Sequence, residues 1–110
     1  MSKVLIIDVA NKEYKFGLDR KEIVRAEKIG FRIREIESSP VTQISMFWKV
    51  GLHKHQPNLN DMQCDDLMDK YIEEGGDVNE VIEFLSQEYV AFLQTTQADT
   101  KKKKARVEEI

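Results

Sequence analysis

The chain has 110 residues, 41% of them hydrophobic and 34% charged, with a formal net charge of -3. That length holds one core and leaves no room for a separate substrate domain, and so large an apolar fraction excludes a chain too polar to fold. From Asp99 onward five basic residues meet three acids, leaving 12 basic against 17 acidic residues in positions 1–98, an acidic body that argues against general nucleic-acid binding.

After Met1-Ser2-Lys3 the apolar run Val4-Leu5-Ile6-Ile7 stops at Asp8, too short for a secretory leader or a membrane span. Two β-rich runs, residues 3–9 and 13–18, flank the polar Ala10-Asn11-Lys12 and predict a hairpin, with Tyr14, Phe16 and Leu18 on one face. Asp19 and Glu22 stand at capping-box spacing, and Ile23, Ala26 and Ile29 recur with helical period until Gly30. Residues 31–37, "FRIREIE", alternate at Phe31 and Ile33 and read as a short third strand or an extended connector.

Ser39-Pro40 starts a second helix carrying Val41, Ile44, Phe47, Trp48 and Leu52, the most buried of the set. Asn60 with Gln63 caps a third, with Met62, Leu67, Met68, Tyr71 and Ile72, which ends at Gly75-Gly76. Asp77 with Glu80 repeats that spacing before a final helix whose seam runs Val78, Ile82, Leu85, Tyr89, Phe92. The expected fold is α+β and mainly helical: an N-terminal β-hairpin packed on three or four helices in residues 1–96, then a disordered, flexible basic tail in residues 97–110.

Chemistry has few footholds. His53, His55, Cys64 and Asp65 are metal-ligand types, but one H-x-H and a distant cysteine lack the paired spacing of a zinc site, so no metal or other cofactor is expected. Cys64 is the only cysteine, which excludes an internal disulfide and fits a reducing cytoplasm. Asp61, Asp65, Asp66 and Asp69 form an acidic row best read as a solvated helix face. Arg20, Lys21, Arg25, Lys28, Arg32 and Arg34 gather near the first helix, but interleaved Glu22, Glu27, Glu35 and Glu37 predict surface ion pairs rather than a phosphate-binding stripe. With no phosphate loop and no nucleophile beside a histidine and an orienting acid, the chain is not expected to be an enzyme. Surplus apolar residues at positions 46–52 and 81–85 instead mark either an unusually buried helix or a contact patch for another chain.

The order of "YKFGLD", "IVRAEKIGF", "FWKVGLHKHQP" and "LNDMQCDDLMDKYIEEGGDVNEVIEFLSQEYVAFL", across residues 13–93, resembles the short form of the tail assembly chaperones of long-tailed bacteriophages and prophages. The resemblance implies a non-catalytic protein of the bacterial host cytoplasm, absent from the mature virion, that binds the tape measure protein during tail tube assembly. It leaves the major tail tube protein and self-association as further options and predicts neither nucleic acid nor membrane as a partner. It points to Phe47, Trp48 and Leu52 as partner-binding residues, with a core anchor as the other reading of Trp48, and the apolar surplus on the last helix adds Phe84. The resemblance also makes Lys101, Lys102, Lys103 and Lys104 the expected place of a translational frameshift into a longer product. The alternatives are a head-tail joining structural protein and a nucleic-acid-binding regulator that uses the basic first helix.

Overall fold

Ala10 and Asn11 both take positive φ, 52° and 64°, as the two central residues of a type I′ hairpin turn do. They join β1 (Leu5–Val9) to β2 (Lys12–Phe16) in an antiparallel pair with Leu5 opposite Phe16, Ile7 opposite Tyr14 and Val9 opposite Lys12. Lys12, expected in the turn, thus already belongs to β2. Four α-helices follow in a computed structural model: α1 (Arg20–Lys28), α2 (Pro40–His53), α3 (Asp61–Glu73) and α4 (Val78–Lys102). The structure describes residues 3–102, with side chains described through residue 94. The fold is α+β and mainly helical, a two-stranded hairpin followed by helices.

α2 runs through the centre. Phe47, Trp48 and Leu52 are fully buried, and residues of this size each stabilise the fold by about 1.5–3 kcal/mol when buried. Trp48 meets Phe16 of β2 edge-on at 4.8 Å between ring centroids and tilts against Tyr71 of α3 at 5.8 Å. Its indole N–H donates to the Cys64 carbonyl at 3.0 Å, which satisfies the one polar atom that the burial of tryptophan strands. Phe47 stacks on Phe31 at 4.4 Å, and Tyr89 of α4 closes that cluster edge-on. Two groups of aromatic rings therefore tie α2 to β2 and α3 on one side and to Phe31 and α4 on the other.

The last turn of α2 lies hard against β2. Gly17 N–H donates to the Gly51 carbonyl at 3.0 Å, one of the four carbonyls that a helix end leaves free. Beyond the helix, the Gln56 amide accepts from Lys15 N–H and donates to the Lys15 carbonyl, both at 2.8 Å, so one side chain satisfies the outer edge of β2. Of the two readings of residues 31–37, a third strand or a connector, the structure has the connector: Phe31 turns into the core while Ile33–Glu35 coil into a 3₁₀ turn. Arg32 N–H donates to the buried Gln43 side chain at 2.8 Å, fixing the connector on α2.

The helix starts depart from expectation in instructive ways. Asn60 and Gln63 form the complete capping box. At α1 only half forms: Asp19 accepts from Glu22 N–H, while the Glu22 side chain turns inward. The Asp77 carboxylate accepts from Asn79 N–H at 2.9 Å, while Glu80 N–H donates to the Asp77 carbonyl at 3.1 Å. Ser39 makes no side-chain cap, so α2 begins on the preset φ of Pro40 alone. α4 spans Val78–Lys102, and no glycine or proline follows Gly76 to break it. Several positions assigned to buried stripes, Val41, Met62, Ile72 and Ile29, are exposed, whereas Val50, Cys64 and Val81 are buried.

Gly51 gives a direct test of the α2–β2 approach. A Cβ there would stand 2.8 Å from both methyls of Leu85 and 3.0 Å from Phe16, all within the core. Gly51→Ala is expected to lower stability by about 1–3 kcal/mol in urea denaturation, against the small gain that alanine brings to an open helix position.

Candidate functional site

Two polar side-chain contacts join the start of α1 to the end of α2. Lys54 Nζ lies 3.6 Å from Asp19 Oδ2. His53 Nδ1 lies 3.0 and 3.2 Å from the two oxygens of Glu22, whose side chain is only 7% exposed. The other ring nitrogen, Nε2, has no partner among the described residues. Asp19 is held below the ordinary carboxylate range, first by the hydrogen bond from Glu22 N–H, with the Lys54 charge acting in the same direction and partial burial opposing.

The second acid of α1 is occupied as well. Tyr89 O–H donates to Glu27 at 2.9 Å, and burial followed by that contact pushes the Tyr89 hydroxyl above its usual value. With Glu22 and Glu27 both engaged by uncharged groups or by His53, Arg20, Lys21, Arg25 and Lys28 have no acidic partner at ion-pair distance among the described residues. The surface ion pairs expected from the interleaved sequence do not form here. The four cations line an open groove of about 630 Å³ together with Glu22, Val24 and His53. Lys21, Val24, Arg25 and Lys28 follow i, i+3, i+4, i+7 spacing, a single helical stripe.

A different surface runs along the outside of α4. Phe84, half-buried, shares a shallow groove of about 320 Å³ with Leu5, Glu80, Glu83 and Gln87. A second groove, about 330 Å³, continues from Glu83 and Gln87 to Val90, Ala91 and Gln94. Val90 is 45% exposed and Leu93 43%.

The four residues expected to bind a partner are thus divided. Phe84 reaches the surface, whereas Phe47, Trp48 and Leu52 have no exposed area and serve as the core. The acidic row Asp61, Asp65, Asp66, Asp69 is exposed, with Asp65 held 3.4 Å from Lys49 and bonded by the Ser45 hydroxyl. His55 rests near Gly17, Cys64 is buried with its thiol pushed up chiefly by desolvation, and the described residues contain no cluster of metal-ligand types. Lys101 and Lys102 end α4, while Lys103 and Lys104 lie outside the described residues. The Glu22–His53 contact escaped the sequence reading because the two residues are 31 positions apart and Glu22 looked like a cap.

The family described as a domain of unknown function, DUF5055, matches residues 1–109. The chain belongs to that family. No curated protein and no solved structure matches it. Among the described residues no helix is long and apolar enough to cross a membrane.

Two measurements check this junction. Because Asp19 titrates lower in the folded state, its contribution is present above the unfolded carboxylate value, about 3.9, and is lost as pH falls through the folded one. Asp19→Asn keeps a capping side chain but cannot titrate, so urea midpoints should fall less for this variant than for the parent below about pH 4. Separately, His53→Ala strands a buried carboxylate and is expected to cost about 1–3 kcal/mol. Adding Glu22→Ala should recover part of that loss in a double-mutant cycle, since removing both partners is less costly than removing one.

Proposed function

We propose that this chain is a non-catalytic tail assembly chaperone of a long-tailed phage or prophage. It holds helical stretches of the tape measure protein soluble in the cytoplasm of the bacterial host while tail tube subunits assemble, and it does not remain in the mature virion. The observation that carries this reading is the apolar strip on α4, where Leu5, Phe84, Val90 and Ala91 line two adjoining grooves. A row of modest apolar side chains along a helix suits the apolar face of a second, amphipathic helix. Glu80 and Glu83 edge the strip, and acidic edges of this kind keep a loaded complex soluble. The burial of Phe47, Trp48 and Leu52 confines the proposed contact to α4 and the hairpin.

Co-expression with the tape measure protein tests the proposal. The partner should move from the pellet to the soluble fraction and co-purify with this chain. Phe84→Asp should reduce that recovery severalfold while the circular dichroism of the chaperone stays unchanged, because Phe84 is only half-buried. A partner equally soluble in the absence of this chain, or presence of this chain in purified virions, removes the proposal.

A further inference from the structure

We infer that the groove between α1 and the end of α2 is a binding site for a compact polyphosphate anion, such as the di- or triphosphate of a nucleotide. Four cations, Arg20, Lys21, Arg25 and Lys28, line it against a single carboxylate, that of Glu22. The Glu22 carboxylate is already engaged by His53 Nδ1, at 3.0 Å from its nearer oxygen, and Glu27, the other acid of the helix, is bonded to Tyr89. The surplus of positive charge therefore arises from how the acids of α1 are used, not from a lack of acids in its sequence.

The arrangement suits phosphate. Guanidinium groups fork onto phosphate oxygens and lysines add mobile point charges, and the hydrogen bonds so formed are about twice as strong as neutral ones. Lys21 to Lys28 spans about 10 Å of helix axis, a length that two or three linked phosphoryl groups can bridge with side chains reaching inward. His53, held through Nδ1 by Glu22, also lines the groove. Val24, 41% exposed, gives an apolar surface for whatever carries the phosphates.

The surroundings favour a short anion over a nucleic acid. Arg25 also lines the neighbouring groove, and there it faces Asp61, the first residue of the exposed acidic row on α3. A polymer leaving the α1 groove in that direction meets the like charge of Asp61, while Lys49, the other cation there, is already paired with Asp65. A triphosphate ends before it.

The test is calorimetric titration of the purified full-length chain with sodium tripolyphosphate and with ATP, at an ionic strength of about 50 mM. One saturable site for both probes is expected. Lys21→Glu/Arg25→Glu should weaken it about tenfold or more, and the neutral pair Lys21→Gln/Arg25→Gln should weaken it in the same direction. Lys15→Glu/Lys70→Glu, which changes the net charge equally on other surfaces, should alter affinity less than about twofold. All of these side chains belong to exposed residues, so the variants should keep the parent circular dichroism. Absence of saturable tripolyphosphate binding overturns the inference, as does equal weakening by the two charge-reversed pairs. Tighter, length-dependent binding of duplex DNA through the same residues replaces it with a nucleic-acid interface.

Discussion

The structure depends on how closely the last turn of α2 approaches β2. A side chain at Gly51 would occupy space held by Leu85 and Phe16, so the helix backbone itself lies against the strand, near enough for Gly17 N–H to reach the Gly51 carbonyl. From that contact follow the edge-on packing of Trp48 on Phe16 and the reach of Gln56 to both polar groups of Lys15. The hairpin alone is a two-stranded ribbon, a unit that is marginal in water without a partner to pack on. α2 is that partner, and it satisfies backbone groups as well as burying side chains.

The same approach sets the electrostatics. It brings the end of α2 over the start of α1, so that Lys54 meets Asp19 and His53 meets Glu22. Glu22 is thereby drawn out of the surface array to which its position in the sequence assigned it, and Tyr89 holds Glu27. The outcome is a small domain with segregated surfaces: cations on α1, aspartates on α3, and an apolar strip on α4. An overall charge of -3 conveys none of this.

Large apolar residues proved poor guides to the exposed apolar surface for a physical reason. The densest apolar stretch, around Phe47 and Trp48, lies on the helix that packs against β2, α1, α3 and α4, where aromatic side chains fill the core between hairpin and helices. The strip that remains on α4 is built from Phe84, Val90 and Ala91, interrupted by glutamates and glutamines, a pattern that a composition scan passes over. A chain of this size needs its largest side chains inside, since it buries a smaller fraction of its surface than a longer one.

Local signals were legible in the sequence: the hairpin turn at Ala10-Asn11, the Asn60–Gln63 capping box, Pro40 at the start of α2, and the breaks at Gly30 and Gly75, both at positive φ. Each rests on backbone conformation or on contacts within four residues, which neighbouring side chains decide. The fate of residues 31–37, the burial of Cys64 and Val81 in place of Met62 and Ile72, and the retreat of Glu22 from its cap were decided elsewhere. In those cases the local pattern allowed two outcomes. Only the tertiary structure selected between them, by supplying a core for Phe31, a packed helix face, or a histidine 31 positions away.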